Sequence, residues 1–287
     1  MNSAVTGKAC LVVLLAVGAL LGLRADPGLP SAEALHRFLS QELPDLPPPS
    51  ADSMSTQEYL RTLEPRVIPE EPAATDRTWI ARARTYPLEI GYLRVARVEE
   101  GLTDQLADAL AGLQKTQTVH GVVMDLRFAG GTAYPEAERA AERLKALLSD
   151  AGSGAGPGGA AGAGEPPAGR DRPLVVLINQ STREAAEAFV LALRSRVGRS
   201  LTIGTNTAGR LWQYRTVQLP GGDRVRVAGD PVALPSQQKV GREGVVPDIR
   251  VAVPPADEAL YWEDEFRRVL DGKPGTPDAA VCMNEAE

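Results

Sequence analysis

The residues best placed to do chemistry lie at 179–193, a stretch that reads NQSTREAAEAFVLAL and follows the apolar run PLVVLI. The apolar run predicts a buried strand, and the segment AAEAFVLAL predicts a helix, so a sharp turn must join them. Hydrolases often place a nucleophile at such a strand-to-helix turn, because the turn presents one side chain at the edge of a sheet. Ser181 and Thr182 carry the hydroxyl groups that could act as this nucleophile.

A hydroxyl nucleophile needs a base, and neither histidine is spaced to supply one. His36 lies in the first helical segment and His120 lies just before a buried strand, where a surface or capping role is expected. A Ser-His-Asp arrangement would require one of these rings to reach the turn. The sequence also has no His/Cys/Asp cluster with metal-ligand spacing and no phosphate-loop motif, so no metal or cofactor is expected.

The elements that position the turn alternate between strands and helices. GYLRV, GVVMDL, PLVVLI, LTIG and VVPDIRVAV have the patterns of strands, and the amphipathic runs between them have the spacing of helices. A hairpin is predicted about the Gly221-Gly222 pair, and the run ALYWEDEFRRVL predicts a terminal helix. Repeated strand-helix units predict an α/β fold in which helices cover a sheet.

Several segments flank or interrupt this core, which is assigned to residues 85–271. Residues 1–25 have Lys8 before an apolar stretch and Leu-Arg-Ala at the end, the layout of a signal peptide cleaved after Ala25. An uncleaved membrane anchor is the alternative. The remaining segments are a helical, proline-rich lead-in with linker character (26–84), a flexible Gly/Ala/Pro insertion (151–169) and a polar C-terminal tail (272–287).

The predicted leader and the composition together indicate where the protein is located and which partners are not expected. A cleaved leader implies an exported chain, periplasmic or extracellular, without a stable membrane span. The net charge of −6 over 287 residues, with no basic run longer than two residues, argues against a nucleic-acid partner. Loss of Cys10 with the leader would leave Cys282 alone, so no intramolecular disulfide is expected.

Five motifs in order give the chain a family resemblance. They are GYLRV, GVVMDLR followed by Gly-Gly, PLVVLIN with a helix carrying AAEAF, IGTNTAG and GVVPDI. In this order they resemble the tail-specific (C-terminal processing) serine proteases, nearer the tricorn-core and retinoid-binding-protein-like branch, over about residues 86–270. The resemblance implies a ClpP/crotonase-like core, the ancestry of an exported serine peptidase, and substrates that are unfolded or C-terminal peptide segments.

The resemblance also implies where the reactive groups should stand. In the family the nucleophilic serine lies three residues before the glutamate of the helix, which is Glu187 here, so the nucleophile position is Glu184. The backbone N–H of Ala185 would then serve an oxyanion hole. The glycine turn with Gly130 and Gly131 would supply the rest of that hole, although the turn is one residue shorter than the common form.

The base position is substituted as well. The family's lysine follows the glycine of a turn, and here Gly209 is followed by Arg210. Arginine stays protonated, so it cannot accept a proton from serine as a desolvated lysine can. In the tricorn-like branch a glutamate before the Val-Pro-Asp strand assists, but the spacing places Gly241 there and Glu243 two residues later.

Three functional hypotheses follow from these substitutions. The first is a catalytically inactive family member that binds peptide or protein segments, with Glu184 and Arg210 either paired across the site or solvated. The second is an active endopeptidase that uses Ser181 or Thr182 as a shifted nucleophile, helped by Glu184 or Glu243. The third is a hydrophobic-ligand-binding protein whose pocket would draw on a small set of aromatic residues, namely Trp79, Trp212, Tyr214, Tyr261 and Trp262.

Overall fold

The computed structural model describes residues 30–51, 53–70, 77–149, 171–234, 241, 243–254, 257–258 and 260. The predicted leader, the insertion at 151–169, the polar tail and nearly all of the terminal helix lie outside these residues. In chain order the elements are α1 (Ala32–Leu39), α2 (Thr56–Thr62), β1 (Val67–Pro69), β2 (Ile80–Tyr86), β3 (Ile90–Val95), α3 (Leu102–Thr116), β4 (Gly121–Asp125), α4 (Tyr134–Ser149), β5 (Leu174–Ile178), α5 (Ala185–Arg196), β6 (Ser200–Gly204), β7 (Trp212–Gln218), β8 (Arg224–Pro231) and β9 (Ile249–Arg250).

The chain forms two compact units. One comprises the residues up to Pro72 together with Tyr214–Gly229, and the other comprises Ala73–Gln213 with the residues from Asp230 onward. The larger unit contains a six-stranded sheet in the order β2-β3-β4-β5-β6-β9. β2 pairs antiparallel with β3, and all the other neighbours are parallel. The predicted α/β class is confirmed.

Helices α3, α4 and α5 cover one face of this sheet. The spacing of leucines in α3 explains how that helix packs, since Leu102, Leu106, Leu110 and Leu113 fall on one side of it and are all buried. Helix α5 differs, because its residues from Ala185 to Leu193 are buried all round. A helix buried on every side is held rigidly, so its first residue is a fixed point in the larger unit.

The smaller unit differs from the predicted linker-like lead-in. Its helices α1 and α2 share a hydrophobic core with the β7–β8 hairpin, through a three-stranded sheet in the order β1-β8-β7. The register Val67↔Val227 joins two segments that are remote in sequence. The hairpin was predicted to belong to the protease-like core at 85–271, whereas its buried side chains Leu219, Val225 and Val227 pack with the lead-in helices.

Within the part of the chain that the structure describes, no helix is both long enough and apolar enough to cross a membrane.

Candidate functional site

The strand-to-helix turn predicted from the sequence connects β5 to α5 at the carboxyl edge of the larger sheet. Its last residue, Glu184, is the N-cap of α5 and adopts φ 56° and ψ −123°. An L-residue in this region of backbone space costs about 1–3 kcal/mol and is found where the surrounding structure imposes it. Glu184 is only 2% exposed. The nucleophile position identified by family resemblance is therefore also the strained residue of the turn.

The two hydroxyl candidates stand in different surroundings. Thr182 is fully buried, and its Oγ1 donates to the carbonyl oxygen of Leu126 at 2.9 Å while it accepts the N–H of Asn179 at 3.0 Å. The hydroxyl thus ties the end of β4 to the end of β5. Ser181 is half-buried, and its N–H donates to Oδ1 of Asn179 at 3.0 Å.

Glu187, the helix glutamate from which the nucleophile position is counted, hydrogen-bonds to the strand-to-helix turn and to the 207–210 loop. Its carboxylate accepts the N–H of Glu184 at 3.0 Å, the hydroxyl of Thr207 at 2.5 Å, and the N–H groups of Gly209 and Arg210 at 2.8 and 2.7 Å. Burial raises the pKa of Glu187, and these four donors partly offset the increase. Glu187 therefore fixes the 207–210 loop against the start of α5.

The glycine turn after β4 lies beside the start of α5. The N–H of Ala185 donates to the carbonyl oxygen of Gly131 at 3.1 Å, and the N–H of Gly130 donates to the carbonyl oxygen of Ala96 at 3.3 Å. A Cβ placed on Gly130 would lie 3.3 Å from the guanidinium carbon of Arg183. Two of the N–H groups predicted for an oxyanion hole thus bind backbone carbonyl groups in this structure. Their role in such a hole stays a prediction, and it requires the glycine turn to move.

The base positions lie on two loops. Arg210 is half-buried, and its backbone N–H donates to the carboxylate of Glu187. Gly241 and Glu243 are exposed, and the carbonyl oxygen of Glu243 accepts from the side-chain amide of Asn206 at 3.1 Å. The structure thus brings Arg210 next to the turn through the backbone. The ion pair between Glu184 and Arg210 stays a prediction.

The histidines do not belong to the turn. His120 precedes β4, at the opposite end of that strand from the glycine turn, and its Nε2 lies 2.6 Å from the carboxylate of Glu89. His36 lies in the smaller unit, where its Nδ1 is 2.7 Å from the hydroxyl of Tyr59. No group of three or more His, Cys, Asp or Glu among the described residues is arranged to hold a metal ion.

Two of the described aromatic residues considered for an apolar pocket, Trp79 and Tyr214, belong to different units. Trp79 is 8% exposed in the helix-covered core, and its indole N–H donates to the carbonyl oxygen of Glu100 at 2.8 Å. Tyr214 belongs to the smaller unit and donates to the carbonyl oxygen of Pro65 at 2.7 Å. Tyr261 and Trp262 lie outside the described residues.

A buried ionic cluster at the ends of β3 and β4 was not predicted. Asp125 has no exposed surface and accepts from Arg94 at 3.1 Å, from Arg127 at 3.0 Å and from the hydroxyl of Tyr92. Burial alone would raise the pKa of Asp125, but the charges and hydrogen bonds of the two arginines lower it to about 2. These contacts make Asp125 a structural rather than a catalytic carboxylate. The cluster fixes the start of the glycine turn.

The depressed pKa of Asp125 predicts a pH dependence of stability. A carboxyl group whose pKa is lower in the folded state stabilises the protein above its ordinary pKa, 3.8, and that stabilisation is lost as the pH falls toward 2. The difference corresponds to about 2 kcal/mol. We expect the free energy of unfolding to fall by about this amount more in the wild-type protein than in Asp125→Asn between pH 5 and pH 2. Urea unfolding at a series of pH values measures it, and parallel curves for the two proteins would contradict it.

Asn179, at the end of β5, connects three segments and was also missed as a site residue. Its Oδ1 accepts the N–H groups of Phe128 at 3.1 Å and Ser181 at 3.0 Å, and its Nδ2 donates to the carboxylate of Glu258 at 3.3 Å. Phe128 has a φ of 65°, so this amide holds a strained residue of the glycine turn. An asparagine directly after a predicted strand and before a turn was the available signal.

The mostly parallel sheet, covered by helices and with a strained residue between β5 and α5, defines an α/β protein with a sharp strand-to-helix turn. A model of peptidase family S41 matches residues 89–251, which is more than half of the chain. The chain therefore belongs to peptidase family S41.

Two curated proteins show the same relationship. The chloroplastic C-terminal processing peptidase of Tetradesmus obliquus is 30% identical over 168 residues, which are 57% of this chain and 35% of that protein. The carboxyl-terminal-processing protease of a Picosynechococcus species is 30% identical over 104 residues, which are 35% of this chain and 25% of that protein. The matches thus span about a third or less of these relatives.

Two solved structures are similar to part of this chain. A photosystem II D1 C-terminal processing protease is 25% identical, with a TM-score of 0.40, over 60% of this chain and 46% of that one. The tricorn protease is 15% identical, with a TM-score of 0.38, over 64% of this chain and 18% of that one.

Proposed function

We propose that this protein is a catalytically inactive member of peptidase family S41 that binds peptide or unfolded protein segments at the β5–α5 turn. The observation that carries the proposal is the conformation of Glu184. A carboxylate occupies the strained, buried position to which the family motif assigns the serine nucleophile. The turn is therefore kept at an energetic cost while the reactive hydroxyl is absent.

The surroundings of Glu184 support the loss of catalysis. Arg210 cannot serve as the general base, because its guanidinium stays protonated. The N–H of Ala185 is bonded to the carbonyl oxygen of Gly131, so it does not point at an empty oxyanion position. The hydroxyl of Thr182 is buried in two hydrogen bonds, which argues against its use as a shifted nucleophile.

A hydrolysis assay tests the catalytic part of the proposal. We expect the purified protein to leave an unfolded, fluorescently labelled protein uncut. Hydrolysis that is abolished in Ser181→Ala or Thr182→Ala would instead establish the shifted-nucleophile alternative. A Glu184→Ser/Arg210→Lys double variant restores the family's serine and lysine and tests whether the rest of the site can still support hydrolysis. Any gained activity would show that the glycine turn can move away from the N–H of Ala185.

Binding is tested separately from hydrolysis. The relatives are named for C-terminal processing, so the first probes are labelled peptides with a free or an amidated C-terminus, followed by fluorescence anisotropy. Glu184→Gln replaces the buried carboxyl group at the proposed site with an amide and should change the dissociation constant at least fivefold. Glu142→Gln, on the exposed side of α4, is the matched control and should leave it unchanged. Equal affinities for both variants and the wild type would place binding elsewhere.

We also propose that the chain is exported and that the mature protein starts at Asp26. The support is the order of Lys8, apolar stretch and Leu-Arg-Ala in the first 25 residues. N-terminal sequencing of protein made in an export-competent bacterial host should give Asp-Pro-Gly. Recovery of the uncut chain from the membrane fraction would favour the anchor alternative.

A further inference from the structure

The six-stranded sheet of the larger unit ends at β2. Among the described strands β2 has a single neighbour, β3, with which it pairs antiparallel. In an antiparallel pair every second residue directs its N–H and C=O toward the partner strand, and the residues between direct theirs away from it. The outer edge of β2 therefore presents backbone donors and acceptors to which a further strand can bond.

The side chains of β2 leave this edge accessible. Ala81, Ala83 and Arg84 are exposed, and an alanine side chain is too short to cover the backbone beside it. Shortness and proline are two common protections of an edge strand, but β2 has seven residues and no proline. The strand at the other end of the sheet, β9, has two residues. Of these two edges, β2 is the one long enough to pair with another strand.

The β2 edge carries positive charge on one face of the sheet. Side chains alternate along a strand, so Arg82 and Arg84 project on the same side. They stand opposite Arg94 and Tyr92 of β3. The guanidinium of Arg94 is buried and already has its counter-ion, Asp125. Arg84 is the more exposed of the two edge arginines.

An extended segment can match this charge pattern. In a strand that pairs with β2, residues two positions apart lie on one face, with the same period as Arg82 and Arg84. Acidic residues at two such positions would both face the arginines, and opposite charges across a strand pair stabilise it. The pattern therefore favours a segment whose acidic residues alternate with other residues.

The turn that ends β2 indicates a second feature of the segment. Leu88 is 87% exposed, whereas the other exposed large apolar side chains among the described residues are 37% to 46% exposed. Leu88 and Glu89 have φ values of 64° and 59°, which are unfavourable for residues other than glycine. An apolar side chain held outward by a strained turn indicates contact with a partner. The segment should carry an apolar residue at the end that reaches this turn.

A second copy of this chain fits the edge less well. If two β2 strands paired about Ala83, Arg82 of one copy would lie opposite Arg84 of the other. Like charges directly opposite each other destabilise a strand pair. Charge complementarity therefore favours an acidic segment of another protein.

We propose that β2 binds an extended segment of a partner protein as an additional strand of the sheet. The preferred segment has acidic residues at alternate positions, opposite Arg82 and Arg84, and an apolar residue next to Leu88. Backbone hydrogen bonds supply affinity, and these three side chains supply the sequence preference. The site is separate from the β5–α5 turn, since β3 and β4 lie between β2 and β5 in the sheet. It does not depend on the peptide binding proposed for that turn.

A fluorescently labelled peptide, Leu-Thr-Val-Glu-Val-Glu-Val-Thr with both termini blocked, tests the proposal by fluorescence anisotropy. In an antiparallel pairing its glutamates face Arg84 and Arg82 while its leucine lies at the turn with Leu88. We expect it to bind the wild type at least tenfold more tightly than the same peptide with lysines for glutamates. Leu88→Ala should weaken binding about threefold.

Charge reversal tests the side-chain preference. Arg84→Glu should weaken binding of the glutamate peptide at least tenfold and strengthen binding of the lysine peptide, because the charges are then complementary again. Arg143→Glu makes the same charge change at an exposed position on α4 and should leave both affinities unchanged. Equal affinities of the wild type for the two peptides would overturn the proposal.

Two further measurements test the added strand itself. N-methylation of the peptide amides that face β2 should abolish binding, whereas N-methylation of the alternate set should not. Hydrogen exchange followed by mass spectrometry should show slower exchange at residues 81–86 when the peptide is bound. Binding that survives both methylations, or protection at residues 181–184 instead, would contradict the proposal. Protection of residues 81–86 that rises with protein concentration in the absence of peptide would identify a second copy as the occupant and also overturn it.

Discussion

Replacing Asp125 by asparagine is expected to lower the free energy of unfolding by about 3–5 kcal/mol. The substitution keeps the size of the side chain but removes the negative charge that Arg94 and Arg127 face inside the protein. Both guanidinium groups are nearly inaccessible to solvent, so water cannot replace the lost partner. Urea unfolding at pH 7, followed by circular dichroism, measures the loss.

Asp108→Asn is the control for this prediction, because Asp108 is an exposed carboxylate on α3 and the same chemical change there should cost less than about 0.5 kcal/mol. If Asp125→Asn also cost less than about 1 kcal/mol, the cluster would have to be open to water.

Replacing Gly131 by alanine is expected to cost more than about 3 kcal/mol. Gly131 has a φ of 126°, which L-residues rarely adopt, and a Cβ there would overlap the carbonyl oxygen of Val98. Backbone atoms cannot move aside as a flexible side chain can, so the glycine turn itself must shift. Because that turn accepts the N–H of Ala185, we expect faster hydrogen exchange at Ala185 in the variant.

Gly112→Ala provides the matched comparison, since Gly112 lies in α3 and a Cβ added there would have no neighbouring atom within 4 Å. The same change there should stabilise the protein by up to about 1 kcal/mol through helix propensity. Thermal unfolding of the two variants should therefore shift in opposite directions. A Gly131→Ala protein as stable as the wild type would show that the turn is free to rearrange.

The strand-to-helix turn could be predicted because its signals are local. An apolar run typical of a buried strand, a short polar turn and an apolar helical segment follow one another directly in the sequence. Each can be recognised from its own residues without knowledge of distant contacts. The reactive position within the turn could not be predicted from these local signals. Only the family motif, counted from Glu187, distinguished Glu184 from Ser181 and Thr182. Its positive φ gives no local signal in the sequence, because glutamate has no preference for that conformation.

The contacts around the turn depend on chain segments that only the folded sheet brings together. Arg94 reaches Asp125 because β3 and β4 are neighbours in parallel register, and Asn179 reaches Glu258 from a distant part of the chain. Likewise, the hydrogen bond from Ala185 to Gly131 depends on the path of a glycine turn that the sequence leaves undetermined. Such pairings follow from topology rather than from spacing.

The register of β1 against β8 also governs when each unit can be completed. Val67 pairs with Val227, so the lead-in segment has no strand partner until the chain through β8 has been made. The larger sheet can assemble its first five strands before that point, since β2 through β6 precede β7 in the chain. Closing so long a loop is entropically costly and slow. During synthesis, the segment with α1 and α2 is therefore made well before the hairpin with which it packs, and its amphipathic helices are among the last parts of the chain to reach their folded packing.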